Sequence, residues 1–84
     1  MSGRGLTDHL YIDVDDTLLK NGTDEVLYPE FVRAVKDWYD RRVDAGGNPV
    51  LVIWSVGGYE RAEEARRACE FGARTVFLMA KPDL

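Results

Sequence analysis

The chain lacks a second cysteine. Cys69 stands alone, which excludes an internal disulfide and any zinc site built from several thiolates. A small apolar residue buried on a helix is its simplest role. The chain also lacks an apolar run long enough to span a bilayer. Uninterrupted runs such as residues 50–54 fall far short of the roughly 20 residues that a crossing needs. No apolar stretch follows the single arginine of residues 1–5, so no secretory leader is read there. Positive charge is in deficit: 11 Lys and Arg against 15 Asp and Glu give a net charge of −4. No basic stripe is interleaved with aromatics, which disfavours a nucleic-acid partner held by general electrostatic attraction. A small phosphorylated ligand stays open, because a bound divalent cation reverses the local sign. Repeats and low-complexity tracts are missing as well. The expectation is a soluble, cytoplasmic protein with no membrane partner.

What is present is ordinary for a globular chain. Of 84 residues, 45% are hydrophobic and 31% charged, which implies one domain over residues 1–84. A chain this short buries roughly 60–65% of its unfolded surface, so its core margin is thin. Three apolar runs stand out, at residues 10–12, 50–54 and 76–80. Each is short, rich in branched or aromatic residues, and bounded by turn formers or charges. That is the pattern of buried strands in a parallel sheet.

Two helical patterns separate the runs. In the first, Phe31, Val32, Val35, Trp38, Tyr39 and Val43 recur at helical spacing, opposite Glu30, Arg33, Lys36, Asp37, Arg41 and Arg42. Pro29 suits its first turn and Ala45-Gly46-Gly47 its end. The second, over residues 59–71, places Ala62, Ala65 and Cys69 on one face and stops at Gly72. Strand, helix, strand, helix, strand predicts an α/β unit with strand order 3-2-1 and both helices on one face. Residues 18–28, containing Asn21-Gly22, read as a turn or short hairpin flap.

In such units chemistry gathers beyond the carboxyl ends of the strands. The first strand ends in Asp13-Val14-Asp15-Asp16-Thr17-Leu18. Carboxylates two residues apart just past a strand can share a side; held together they need a cation, and hard oxygen ligands favour Mg2+. One carboxylate can attack phosphorus in line while the other exchanges a proton with the leaving oxygen. Thr17 can brace the loop through its hydroxyl. The second strand ends in Ser55-Val56-Gly57-Gly58 with a helix to follow, and a hydroxyl with free N–H groups at a helix start suits phosphate oxygens. Lys81, followed by Pro82, closes the third strand and can neutralise phosphate and carboxylate charge together. The blander readings are a solvated acidic turn with Asp16 as a helix cap, a Ser55 hydroxyl satisfying local backbone, and an exposed Lys81. His9 reads as a surface residue. Trp38 and Trp54 read as core packing, and the pairs Arg41-Arg42 and Arg66-Arg67 as solvated helix faces.

Together, Asp13-x-Asp15-Asp16-Thr17-Leu18 after an apolar strand, a second strand ending in Ser55, and Lys81-Pro82 after a third resemble the first three motifs of the haloacid dehalogenase superfamily. The likeness covers nearly the whole chain. It implies a three-layer, Rossmann-like fold with a parallel sheet, of which the chain is all or a piece. It further implies a Mg2+-dependent phosphomonoester hydrolase acting through an aspartyl-phosphate. Asp13 would be nucleophile and metal ligand. Asp15 would be general acid/base, with its backbone carbonyl on the metal. Ser55, Val56, Gly57 and Lys81 would bind phosphate, with Ser55 and Lys81 counted among the catalytic residues. The fourth motif of that superfamily, acidic residues ending the next strand, has no counterpart before Leu84, and Asp83 follows Lys81 too soon to supply it.

Other classes of protein use similar residues. A calcium loop starting at Asp13 would need glycine where Leu18 stands. A phospho-receiver domain would need its acceptor aspartate at the end of a later strand, where Ser55 and Lys81 stand. The stronger rival is a catalytically incomplete binding or assembly module, motivated by the absent fourth motif. Two further expectations concern shape. Neither residues 18–54 nor residues 56–80 leave room for a cap domain. The strands are apolar on both faces, so the second face calls for a homodimer, a partner or a further C-terminal segment. Without one the chain is expected to dimerise, aggregate or stay partly molten.

Overall fold

A computed structural model describes residues 7–82. Its elements run β1 (Thr7–Asp13), α1 (Pro29–Asp44), β2 (Asn48–Ser55), α2 (Gly58–Ala68) and β3 (Val76–Ala80). The three strands form one parallel sheet with β2 in the middle. Parallel neighbours need long crossovers, and α1 and α2 provide them. Pro49 is tolerated in β2 because pairing with β3 begins only at Leu51, so its missing N–H interrupts no bond to that neighbour.

Alternation along the strands splits the side chains between two faces. Ile12, Leu51 and Ile53 share one core with Val32, Val35 and Tyr39 of α1 and with Ala62, Ala65 and Cys69 at α2; Leu10, Val76 and Leu78 pack against it. Both helices therefore cover the same face. The other face carries Tyr11, Val50, Val52, Trp54, Phe77 and Met79, and Tyr11 and Phe77 are more than half exposed. Val50 and Val52 are nevertheless buried, with Val52 lying between Tyr11 and Phe77 in the register. The described residues thus form one sheet and one helical layer.

Each helix departs from its expected pattern in one respect. The stripe expected on α1 is too wide: only Val32, Val35 and Tyr39 are buried, Trp38 is partly covered, and Phe31 and Val43 face solvent. A helix resting on a single strand buries a narrow seam, and α1 packs on β2 alone, whereas α2 packs on β2 and β3. Tyr39 still anchors α1, its hydroxyl accepting the Thr75 N–H at 2.8 Å. Arg74 adds a two-pronged ion pair to Asp40. The second helix ends at Ala68 rather than running to Phe71, because Glu70 takes a left-handed backbone (φ 55°). That conformation costs about 1–2 kcal/mol for a residue with a Cβ. It swings Phe71 into the core, fully buried, which offsets the cost at roughly 1.5–3 kcal/mol for a large apolar side chain.

The flap is a small hairpin. The Lys20 N–H donates to the Glu25 carbonyl, Thr23 N–H to Lys20, and Leu27 N–H to Leu18. Leu18 and Leu19 at its root are fully buried and plug the core beneath the strand ends. Between β1 and β3 the described elements are this flap, α1, β2 and α2, with no folded lid in either gap. Among the described residues no helix is long and apolar enough to cross a membrane. Asp83 and residues 1–6 lie outside the described residues.

Candidate active site

The loop after β1 is wound around one carbonyl. Val14 accepts hydrogen bonds from the N–H groups of Thr17, Leu18 and Leu19, at 3.2, 2.9 and 3.0 Å. Asp16 closes this turn with φ 63°, a conformation aspartate tolerates better than most residues. Its carboxylate accepts the Asn21 N–H, so it braces the flap and caps no helix. The part of Thr17 in the turn is its backbone N–H.

Parallel register brings the three strand ends into one row. Asp13 lies opposite Trp54, and Ser55 opposite Ala80. One residue further, the Lys81 N–H donates to the Ser55 carbonyl at 2.9 Å. From there the Lys81 side chain crosses β2 to reach β1. Its ammonium lies 4.7 Å from the centre of the Trp54 ring and donates to Asp13 Oδ1 at 2.9 Å. The same Oδ1 accepts the Val14 N–H, also at 2.9 Å. Asp13 is half-exposed and Lys81 largely covered. Trp54 is therefore no core residue: it stands on the open face, edge-on to Tyr11, as a platform under Lys81.

Asp15 is held on a different element. Arg61 in α2 donates to Asp15 Oδ1 from Nε at 3.1 Å and from Nη2 at 2.6 Å. The Gly22 N–H reaches the same oxygen at 3.4 Å. The Arg61 guanidinium holds the Asp15 carboxyl below its ordinary range, more strongly than partial burial raises it; Gly22 and the Lys81 charge act in the same direction as Arg61.

Ser55 is almost fully buried and faces the helix side, in phase with Leu51 and Ile53. Its Oγ accepts the Gly57 N–H at 3.0 Å. The local-backbone role is thus realised, and that N–H is committed within the loop. Val56 is exposed. Gly58 starts α2 at φ 88°, a backbone that admits no side chain without strain. Of the residues singled out in the sequence, the structure brings Asp13 and Lys81 into direct contact, ties the Ser55 backbone to Lys81 while its hydroxyl lies on the helix side, and turns the Asp15 carboxylate toward α2 and the flap.

Sequence reasoning missed Arg61 and misplaced Trp54. A signal for Arg61 existed: a cation in the opening turns of a helix runs against the helix dipole, which asks for a specific anionic partner. His9 is exposed as expected. Arg41 pairs with Asp37 on the outer side of α1, and Arg66 with Glu63 on α2.

The donors suited to a hard cation are few. Asp13 Oδ2 and the Asp15 backbone carbonyl accept no protein hydrogen bond among the described residues. Among those residues no three carboxylate, histidine or cysteine groups converge. These two oxygens, two residues apart on one loop, could serve as ligands to Mg2+, which commonly takes one or two from the protein and the rest from water and substrate phosphate. Comparisons with protein-family models, curated proteins and solved structures found no match to this chain.

Proposed function

We propose that the chain carries the nucleophile side of a haloacid-dehalogenase-type phosphohydrolase, acting on phosphomonoesters. The observation that supports this reading best is the Asp13–Lys81 contact, made between residues 68 apart at adjoining ends of a parallel sheet. An isolated acidic turn has no need of a lysine brought from another strand. An Asp13 carboxylate oxygen attacks phosphorus in line; the bond from phosphorus to the ester oxygen breaks, and that oxygen leaves with the proton that a phosphomonoester monoanion brings, relayed by Asp15, which Arg61 holds ionised beforehand. Water then attacks the aspartyl-phosphate, Asp15 takes its proton and passes it to the departing phosphate, and the Asp13 carboxylate is restored. Lys81 offsets negative charge as it builds on the phosphoryl oxygens. Asp13 and the Asp15 carbonyl would hold Mg2+, which when bound supplies charge neutralisation at the phosphoryl group. Ser55, Val56 and Gly57 line the loop that would meet the phosphate, with Gly57 released from Ser55 on binding.

The fold extends, on this reading, to a three-layer, Rossmann-like arrangement in which a second helical layer would cover the open face of the sheet. With no lid in either gap, the flap is the element among the described residues that would control access, which leans the reading toward bulky phosphorylated substrates. A second reading, a binding or assembly module on the same fold, is favoured by the commitment of Gly57 N–H to Ser55 and by the small number of acidic ligands.

The test is hydrolysis of p-nitrophenyl phosphate by the chain, with Mg2+ and with EDTA. Metal-dependent turnover that disappears in Asp13→Asn is the expected result. Turnover that survives in that variant overturns the mechanism, and no turnover by the parent chain favours the module.

A further inference from the structure

We propose that Arg61 is a positioning residue that fastens the flap to Asp15, so that closing the flap and placing the Asp15 carboxylate are one event. The proposal rests on the reading of Asp15 as the general acid/base, and its geometry stands independently. The Arg61 side chain is only 12% exposed, and its guanidinium makes contacts on every side. Besides the two bonds to Asp15 Oδ1, Nη1 donates to the Thr23 carbonyl at 2.7 Å and to Glu64 Oε1 at 2.7 Å. Nη2 also reaches the Lys20 carbonyl at 3.3 Å. Three of these four partners lie within residues 15–23. Lys20 and Thr23 are the two ends of the flap's own turn, where the Thr23 N–H donates to the Lys20 carbonyl.

The α2 side of this junction is shaped for the arginine. A Cβ at Gly57 would stand 3.0 Å from Arg61 Cβ and 3.2 Å from its Cγ. A side chain at residue 57 would press on the arginine, which would have to give by a few tenths of an ångström. Glu64, one turn further along α2, holds the guanidinium from its own helix. Arg61 is thus fixed at its base by α2 and grips the flap and Asp15 with its planar end, a fork that lysine cannot reproduce.

Two consequences follow. With Oδ1 taken by Arg61 and Gly22 N–H, Asp15 has one oxygen, Oδ2, left for proton exchange. A flap that lifts also removes Gly22 from Asp15 and Thr23 and Lys20 from Arg61, so substrate entry through the flap would loosen the carboxylate, and closure would set it again.

The experiment is a double-mutant cycle on the full chain, read by amide hydrogen exchange at Lys20, Thr23 and Leu27. Arg61→Met is expected to raise exchange at these amides about tenfold or more, as charge-assisted hydrogen bonds are lost. Exchange at Leu51 and Ile53 in β2 should stay as it was, which shows that the variant is folded. Asp15→Asn is expected to raise flap exchange too. The double variant should exceed the larger single effect by little, because both act through one junction. Gly57→Ala should loosen the flap in the same way by crowding the arginine. Flap exchange unchanged in Arg61→Met, or fully additive effects, overturns the proposal. Where the chain hydrolyses an aryl phosphate, Arg61→Met should lower kcat with KM little changed, and Arg61→Lys should restore only part of it. An equal loss from Arg61→Met in the Asp15→Asn background overturns action through Asp15. Coupled exchange in a chain without turnover leaves the junction standing and refutes the phosphohydrolase reading alone.

Discussion

The two faces of the sheet are built from equally apolar residues and end up in opposite conditions. On the helix side, Leu51 and Ile53 are fully buried under α1 and α2, and Ala62 and Ala65 let α2 come close. On the other side Tyr11, Phe77 and Met79 stand open, with Val52 sheltered between them. The candidate chemistry also divides along this line. Asp13 and Lys81 meet above Trp54 at the top of the open face. Ser55 and Asp15 belong to the side where α2 and the flap lie. One face stabilises the chain; the other leaves apolar surface that burial would stabilise further.

The largest expected effect comes from cutting the covered face. Ile53→Ala removes three carbons from the centre of the core and should cost about 2–5 kcal/mol. A small domain has only about 5–15 kcal/mol in total, so this variant should be unfolded or nearly so by urea titration. Val52→Ala is its neighbour on the opposite face and almost equally inaccessible, at 2% against 0% exposed. It should cost less, about 1–2 kcal/mol, since its cover is a pair of neighbouring side chains that can collapse into the gap. Equal losses would show that something covers the open face as firmly as the helices cover the other.

The next effect concerns association rather than folding. Tyr11 and Phe77 flank the central strand on the open face. Replacing both with Ser should leave chemical denaturation changed by only about 1 kcal/mol, as for exposed positions. It should markedly weaken self-association of the chain at tens of micromolar, measured by sedimentation. A parent chain that sediments as a monomer and unfolds cooperatively would remove the basis of this prediction.

Much of this contrast was legible in the sequence, and the illegible part has a common cause. The three strands, the start of α1 at Pro29 and the meeting of Asp13 with Lys81 follow from apolar runs closed by polar residues. Hydrophobicity tells that a side chain avoids water without telling which side of a sheet will shelter it. Hence hydrophobicity alone points Trp54, Phe31 and Val43 toward a core they do not enter. Local preference puts the stop of α2 at Gly72, the residue with the best backbone for it. The burial of Phe71 instead moved the stop to Glu70, a tertiary gain overriding a local preference. Arg61 and Asp15 are 46 residues apart. Nothing local marks the pair except a cation set against a helix dipole.

The smallest expected effect is on stability against pH and separates the helix-side ion pair from the rest of the fold. The Asp15 carboxyl titrates below its ordinary range in the folded chain, chiefly because Arg61 donates to it. In the unfolded chain it should titrate near the ordinary aspartate value of roughly 3.9. Between those two values the unfolded state holds more protons than the folded one, so stability rises with pH across that interval. The contribution is therefore complete above about pH 4–5 and disappears as pH falls through the lowered folded value. Asp15 is about one-third exposed, so solvent screening limits the contribution to about 1 kcal/mol or less. Arg61→Met removes it together with the Arg61 pair to Glu64. The stability difference between parent and variant should be constant from pH 7 to 5 and shrink below pH 4, measured by urea titration at each pH. A difference that persists unchanged at pH 2.5 would mean that Arg61 stabilises the chain through the Thr23 and Lys20 carbonyls alone. The helix side of the site would then owe nothing to the charge on Asp15.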